Sequence, residues 1–201
     1  MFAQIIRGRV SDPASVQPVV DRWMAELAPG AVGWLGSTSG VTEDNQLFVI
    51  ARFESEEAAR ANSGRPEQDQ WWSQMEKLID DVSFQDSTDV QVDTFGDPDT
   101  ATFVQVMTGR TSDPERARQL MAQDQPDMQS FRPDILGNVM VGHGHGRWTM
   151  VNYFTSEEAA RAGERKEPPA EMQKMMEEMD KLSVGEPEFL DLRQPRMNSP
   201  R

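Results

Sequence analysis

The chain has 201 residues, 37% of them hydrophobic, so it can bury one large core or two small ones. Its formal net charge of -14 argues against nucleic acid and membranes as partners, because a protein needs clustered lysine and arginine to bind an anionic surface. Cysteine is absent, which excludes disulfides and thiolate chemistry. We find no apolar signal segment and no apolar run near the roughly 18 residues of a membrane span, so we expect a cytoplasmic protein.

The first half of the chain predicts strands and helices in a definite order. The segment "FAQIIRGRV" predicts a strand, and Asp12 followed by Pro13 is typical of a helix start. "VGWLGSTSG" and "QLFVIARF" predict two strands joined by a turn, after which Ser55 caps a short helix. "EQDQWWSQMEKLIDD" predicts a longer helix, and "DVQVDTF" predicts a closing strand. The order is therefore β-α-β-β-α-β.

The second half repeats the first half at a fixed offset. "FESEEAARA" begins at Phe53 and "FTSEEAARA" begins at Phe154, which is 154 - 53 = 101 residues later. The same offset of 101 aligns further identical residues in the first strand and the following helix start of each half. Such self-similarity indicates a tandem duplication. We predict a first repeat at residues 1-95, a linker at 96-101, a second repeat at 102-193 and a flexible tail at 194-201.

The repeated element order predicts the fold class. Two β-α-β-β-α-β repeats predict an α+β protein of two tandem ferredoxin-like units, each with an antiparallel sheet and helices on one face. The third strand is apolar on both sides, with Leu47 and Val49 on one face and Phe48 and Ile50 on the other. The sheet face away from the helices therefore needs a cover. We expect the two sheets to pack face to face as a barrel within one chain.

The end of the third strand carries a resemblance to a known family. An aromatic residue followed by "SEEAARA", in this element order, resembles the dimeric α+β barrel superfamily, and within it the antibiotic-biosynthesis-monooxygenase-like proteins. The resemblance covers both halves in element order. It implies that the duplication replaces a homodimer, and it leaves a homo-oligomer open. It also implies a small pocket between helices and sheet, in which members oxidise polycyclic aromatic or quinol compounds without metal or flavin, or degrade haem.

The resemblance also implies where functional histidines would lie. Members with chemistry often place one histidine near the end of the short helix and another shortly after it. The matching residues are Asn62 and Gln68 in the first repeat, and Gly163 and Pro169 in the second. Because haem ligation would need an imidazole there, we expect no haem, and we expect no other cofactor.

Both histidines of the chain lie in the segment "GHGHGR". His143 and His145 are two residues apart, so in a strand they would share a face and could bind zinc with a third ligand. The offset of 101 instead places them opposite Thr42 and Asp44, in the hairpin turn of the first repeat. The three glycines around them suit a turn. We therefore predict a hairpin turn and no metal site.

The candidate ligand-binding residues lie in the second repeat. Trp148, Met150, Asn152 and Phe154 alternate along one strand face, so a single amide lies among large apolar side chains, as in small-molecule pockets. Gln105 is a second mid-strand amide. The first repeat has alanine in place of Asn152, so we predict the pocket in the second repeat. The alternative is that both amides are satisfied core groups. The sequence assigns no catalytic residue.

The chain lacks the motifs of the common enzyme classes. It has no nucleophile-histidine-acid set, phosphate-binding glycine loop or dinucleotide fingerprint. We expect a monooxygenase-like protein that binds a small apolar or aromatic molecule, with cofactor-independent oxidation of an aromatic or quinol-type compound as its reaction. The alternative is a non-catalytic ligand-binding or protein-interaction module of the same fold. A cavity with convergent polar groups would favour the first hypothesis, and a filled core the second.

Overall fold

A computed structural model describes residues 1-122 and 128-200, with the side chains of all of them except Met128. The chain divides into two compact units, one formed by Met1–Val90 with the segment from Leu192 onward, and one formed by Gln91–Asp191. Each unit is built on a five-stranded antiparallel sheet with helices, so the predicted α+β class and ferredoxin-like units are confirmed. Within the described residues, no helix has both the length and the apolar character needed to cross a membrane.

The first unit contains five strands and three α-helices. The elements are β1 (Phe2–Val10), α1 (Pro13–Arg22), β2 (Trp34–Val41), β3 (Gln46–Phe53), α2 (Glu56–Ser63), α3 (Pro66–Met75), β4 (Ile79–Ser87) and β10 (Arg196–Asn198). A π-helical turn and a 3-10 turn extend α1 as far as Gly30. The strands are arranged in the sheet in the order β10-β2-β3-β1-β4.

The second unit has a similar sequence of strands and helices, with a longer last helix. The elements are β5 (Val90–Thr94), β6 (Phe103–Arg110), α4 (Pro114–Met121), α5 (Met128–Phe131), β7 (Ile135–Gly142), β8 (Arg147–Phe154), α6 (Glu157–Glu164), α7 (Ala170–Leu182) and β9 (Glu188–Leu192). The strands are arranged in the sheet in the order β5-β7-β8-β6-β9.

Strand register confirms the duplication. Gln4 lies opposite Ala51 in the pairing of β1 with β3, and Gln105 lies opposite Asn152 in the pairing of β6 with β8. Both pairs are separated by the offset of 101 that the sequence predicted. The same register irregularity also occurs near the start of β2 and near the start of β7. Equivalent residues of the two units can therefore be compared one by one.

Side-chain caps begin the equivalent helices in both units. Ser55 accepts a hydrogen bond from the backbone of α2, and Ser156 accepts the equivalent bond in α6. Asp12 and Asp113 cap α1 and α4, and each is followed by a proline at the first helical position. These residues satisfy backbone N–H groups that have no partner inside the helix, so the helices begin where the sequence predicted.

The predicted helix over "EQDQWWSQMEKLIDD" is wrong in its second part. The α-helix ends at Met75, and the chain enters β4 at Ile79. β4 pairs with β1 along most of its length, so the sheet ladder provides the backbone hydrogen bonds that a continued helix would have provided. The strand "DVQVDTF", predicted to close the first repeat, instead gives β5, which lies beside β7 in the sheet of the second unit.

The structure places a strand in residues 194-201, which the sequence predicted as a flexible tail. β10 lies within this segment and pairs with β2, with Met197 opposite Thr38. Arg193, just before β10, forms an ion pair of 3.1 Å with Glu43. The unpaired edge of β2 therefore obtains a partner strand from the C-terminal segment. Arg201 lies outside the described residues.

The face-to-face packing of the two sheets as a barrel stays a prediction.

Candidate functional site

The first unit contains a cavity of about 280 Å³. The sheet forms one wall, in which Leu47, Val49, Ala51 and Phe53 alternate along β3 and face the cavity. Phe48 and Ile50, which lie between them and point to the other side of the sheet, are buried. Helices α2 and α3 and the turn after α1 form the opposite wall. The alternating apolar pattern of β3 thus provides one cavity face and one core face.

Four tryptophan rings contribute to the cavity lining. Trp23, Trp34, Trp71 and Trp72 all line it. The ring centres of Trp23 and Trp34 are 5.1 Å apart with an angle of 73° between the rings, and those of Trp23 and Trp71 are 6.5 Å apart at 62°. Such edge-to-face contacts are favourable between aromatic rings. The four rings therefore form a packed wall with flat apolar surfaces, which suits an aromatic ligand.

Two indole N–H groups of this wall differ in their partners. Trp71 Nε1 donates a hydrogen bond of 2.7 Å to the carbonyl oxygen of Val19, which fixes α3 to α1. Trp34 is only 6% exposed, and its buried Nε1 has no hydrogen-bond partner among the described residues. A buried donor without an acceptor is unusual in a folded protein.

Gln4 presents a hydrogen-bond acceptor to the cavity. Its side chain lines the cavity, and its Nε2 donates a hydrogen bond of 2.9 Å to the carboxylate of Asp86 on the neighbouring strand. An ionised carboxylate only accepts hydrogen bonds, so the amide nitrogen must be the atom that faces Asp86. The amide oxygen is therefore left to accept a hydrogen bond from a ligand.

Asn62 and Gln68 present donors. Asn62 is 7% exposed, and its Oδ1 accepts a hydrogen bond of 2.9 Å from Nη1 of Arg65. Oε1 of Gln68 accepts a hydrogen bond of 2.7 Å from Nε1 of Trp23. Guanidinium and indole groups only donate, so each amide must turn its oxygen toward them and keep its nitrogen for another partner. Both side chains line the cavity at the positions where the family resemblance implied histidines.

The charge of Arg65 is balanced beside the cavity. Nε of Arg65 forms an ion pair of 2.9 Å with Glu67, and Nη1 also donates a hydrogen bond to the carbonyl oxygen of Leu27. The pKa of Glu67 is lowered, mainly because its own backbone N–H binds the ionised carboxylate and also because Arg65 does so. Glu67 is therefore ionised at neutral pH, and Arg65, which it binds, also holds the side chain of Asn62 in place.

The site residues predicted in the second repeat do not line this cavity. Trp148, Met150, Asn152, Phe154 and Gln105 are instead the equivalents, at the offset of 101, of five residues that do. Those five cavity residues, in the same order, are Leu47, Val49, Ala51, Phe53 and Gln4. The sequence therefore identified the equivalent positions, although the described cavity lies in the other unit. Ligand binding by the second-repeat residues stays a prediction.

Both predicted amides of the second unit have partners within that unit. Gln105 is 7% exposed and donates a hydrogen bond of 3.1 Å to Asp191, which also pairs with Arg161. Nδ2 of Asn152 lies 3.6 Å from the sulfur of Met107. These contacts fit the alternative that the sequence left open, in which the amides are satisfied core groups.

A charged side chain of the second unit lies where the first unit has its cavity. Arg132 is the equivalent of an alanine in the first unit, and its guanidinium lies 5.8 Å from the ring centre of Phe154 and donates to the carbonyl oxygen of Ala160. A Cβ atom at Gly163 would collide with this guanidinium. The equivalents of these three neighbours, Phe53, Ala59 and Asn62, all line the cavity of the first unit.

The guanidinium of Arg132 is neutralised inside the second unit. It pairs with Asp134 at 2.7 Å, and only 13% of the Arg132 side chain and 8% of the Asp134 side chain are exposed. In the first unit Ala31 and Gly33 occupy the two equivalent positions, so neither charge is present there. The pattern of the strands gave no signal of this difference, because these positions precede β2 and β7.

The two histidines lie at the tip of the hairpin that joins β7 and β8. Gly144, His145 and Gly146 have positive φ angles of 71°, 51° and 76°, as expected for a tight turn. Nε2 of His143 is 2.9 Å from the hydroxyl oxygen of the buried Thr149. The predicted turn is confirmed. Across residues 1-122 and 128-200, no group of three or more histidine, aspartate or glutamate residues could hold a metal ion.

Comparisons by sequence give no relative of this chain. No protein-family model matches it, and no curated protein matches it.

Comparison with solved structures does find proteins of the same fold. A candidate monooxygenase from Lactobacillus acidophilus superposes with a TM-score of 0.74 at 12% identity, over 98% of this chain and 99% of that one. A candidate monooxygenase from Fusobacterium nucleatum gives a TM-score of 0.75 at 9% identity, over 98% and 94%. An anthrone oxidase-like protein gives 0.63 at 10% identity, over 98% and 92%. The resemblance to the monooxygenase-like proteins is thus confirmed at the level of the fold.

Proposed function

We propose that the cavity of the first unit binds a small aromatic molecule and that the protein is a monooxygenase-like enzyme that oxidises a phenol or quinol without a bound cofactor. The observation that carries this proposal is the set of three amides whose orientations are fixed by Asp86, Arg65 and Trp23. Fixed amides in an apolar cavity are typical of sites that orient a ligand. A core that is merely filled has no need of three such amides around one cavity.

The three amides can bind the hydrogen and the oxygen of a phenolic hydroxyl differently. The oxygen of Gln4 accepts a hydrogen bond from a ligand hydroxyl, while the nitrogens of Asn62 and Gln68 donate to a ligand oxygen. Oxidation of a phenol becomes easier as its proton leaves and negative charge develops on the oxygen. N–H donors directed at that oxygen stabilise the developing charge. Dioxygen is the oxidant: a 1,4-quinol loses two electrons and two protons to become the quinone, and dioxygen takes them up to become hydrogen peroxide.

The tryptophan wall contributes most of the affinity. Burying an aromatic ring removes apolar surface from water, which stabilises the complex by about 25 cal/mol per Å². The cavity volume of about 280 Å³ suits a ligand of one or two fused rings. The full-length likeness to candidate monooxygenases and to an anthrone oxidase-like protein supports the same reaction class for this chain.

A second function is favoured by one observation. Asp69 is the single ionisable side chain among the described residues that line the cavity, and it lies at an exposed position. The residues proposed to hold the ligand hydroxyl are amides, which cannot act as general bases, so proton removal there would depend on the acidity of the ligand itself. The alternative function is therefore a binding protein of the same fold that holds an aromatic ligand without oxidising it.

Paired alanine substitutions test the proposed function. Ala51→Leu places a larger side chain in the cavity wall, whereas Ala61→Leu makes the same change at an exposed position of α2. We expect wild type and Ala61→Leu to bind 2-naphthol, seen as quenching of tryptophan fluorescence, and to consume oxygen with 1,4-dihydroxynaphthalene above the spontaneous rate. Ala51→Leu should lose both activities. Binding without oxygen consumption would support the binding protein, and equal behaviour of both variants would refute the site.

A further inference from the structure

We propose that the cavity of the first unit selects its ligand by charge and binds aromatic cations more tightly than neutral or anionic compounds of the same shape. The expected ligand class is an aromatic ring system that carries a positively charged nitrogen. This inference rests on the proposed use of the cavity as a ligand site, but it does not depend on the oxidation.

The charges around the cavity favour a cation. Asp69 lines the cavity, and within the described part of the chain no lysine, arginine or histidine does so. Behind the wall, Asp86 binds Gln4, while the positive charge of Arg65 is balanced by Glu67. Arg60 also pairs with a carboxylate, that of Glu56. Among the described residues, the one ionisable side chain that lines the cavity is therefore acidic, in a chain whose formal net charge is -14. A negative charge at the site attracts cations and repels anions.

The aromatic walls also favour a cation. The faces of indole and benzene rings are electron-rich, so a cation within about 6 Å of a ring centre is attracted, and tryptophan gives the strongest effect. Trp23 makes edge-to-face contacts with Trp34 and with Trp71, so the rings face the cavity in different orientations. Aromatic cages of this kind bind quaternary ammonium groups in other proteins. A neutral ligand of the same shape would not gain this attraction.

The second unit contains an internal example of such an occupant. The flat cation of Arg132 lies over Phe154 and contacts the carbonyl oxygen of Ala160. The equivalent residues of the first unit, Phe53 and Ala59, line the cavity. This position of the fold therefore accommodates a planar cation on an aromatic face. In the first unit Ala31 replaces the arginine, so the cation would have to come from a ligand.

Three naphthalene derivatives test the proposal on the full chain. We would titrate the protein with (2-naphthylmethyl)trimethylammonium, 2-naphthol and 2-naphthoate and follow tryptophan fluorescence. The cation should bind about tenfold more tightly than the neutral naphthol, which corresponds to one or two cation–π contacts. The anion should bind most weakly. Asp69→Asn should lower the affinity for the cation and raise that for the anion, with little change for the naphthol. Glu76→Gln changes the net charge equally outside the cavity wall, and it should change none of the three.

The outcomes separate this proposal from the proposed function. Equal affinities for all three compounds, or tighter binding of the naphthoate, would overturn the charge selection and leave the ligand site intact. The same shift in Glu76→Gln as in Asp69→Asn would show that only the net charge matters, which also overturns it. Failure of all three compounds to bind would overturn the charge selection together with the ligand site.

Discussion

The indole Nε1 of Trp23 donates a hydrogen bond of 2.7 Å to the side-chain oxygen of Gln68. This bond joins the turn after α1 to α3, and it fixes which end of the Gln68 amide is left for a ligand. Arg65 has the same effect on Asn62 through its bond to Oδ1. The cavity therefore holds two amide nitrogens as donors before any ligand arrives, which reduces the cost of ordering them on binding.

Asn62→Asp should weaken the binding of neutral phenols. An aspartate keeps an oxygen for Arg65 but replaces the amide nitrogen by a second acceptor, so the donor to the ligand is lost. One net hydrogen bond contributes about 1 kcal/mol, so we expect the dissociation constant of 2-naphthol to rise about fivefold. Fluorescence titration measures this change. Asn152→Asp is the matched control in the second unit. A larger effect of Asn152→Asp than of Asn62→Asp would place the site where the sequence alone predicted it.

The sequence predicted site residues whose first-unit equivalents line the cavity, because strand periodicity and the repeat offset are local signals. Alternation along β3 and β8 identifies the residues of one sheet face, and the offset makes the two faces equivalent. Whether a cavity remains over that face depends on side chains from other elements. Arg132 lies outside the strand pattern, and its placement beside Gly163 follows only from the folded structure. The choice between the two units therefore could not be made from the strands.

Two differences between the predicted and the observed elements have similar causes. Met75, Leu78 and Ile79 follow helical spacing, so the pattern extended α3 into the region that pairs with β1 as β4. The C-terminal segment is polar and contains prolines, which is typical of a loose tail. It nevertheless forms β10, because the edge of β2 offers unpaired backbone groups. Both outcomes depend on pairing between residues far apart in sequence, which local patterns do not report.

Arg132→Ala should strongly destabilise the second unit. Asp134 would keep a buried charge without its partner, and removal of one member of a buried ion pair costs about 3–5 kcal/mol. The double variant Arg132→Ala with Asp134→Ala should recover part of this loss, because no unpaired charge then remains. Urea denaturation measures the free energy of unfolding. Arg147→Ala, at an exposed position of the same unit, is the control and should change stability little. Similar losses for Arg132→Ala and Arg147→Ala would contradict the buried pair.

Truncation of the chain after Arg193 should affect both the stability of the first unit and its ligand binding. β10 covers the edge of β2, and its Asn198 lines the cavity. We expect the melting temperature to fall by about 2–4 °C, which corresponds to roughly 1 kcal/mol in a chain of this size. The affinity for 2-naphthol should fall as well. Differential scanning fluorimetry and fluorescence titration measure the two effects. A shorter truncation that begins at Pro200 leaves β10 intact and should change neither value. Wild-type behaviour of the longer truncation would show that β10 contributes nothing to the site.

The histidine hairpin should have a structural role rather than a metal-binding one. Nε2 of His143 is within hydrogen-bond distance of the fully buried hydroxyl of Thr149, whereas His145 is exposed at the tip of the turn. Loss of a partner for a buried polar group costs about 1–3 kcal/mol, so His143→Ala should be clearly less stable than His145→Asn. Asparagine tolerates the positive φ angle at residue 145, and this second variant should therefore remain close to wild type. Urea denaturation compares the two variants, and elemental analysis after incubation with zinc tests the site itself. About one zinc per chain, lost in both variants, would show that the pair binds metal after all.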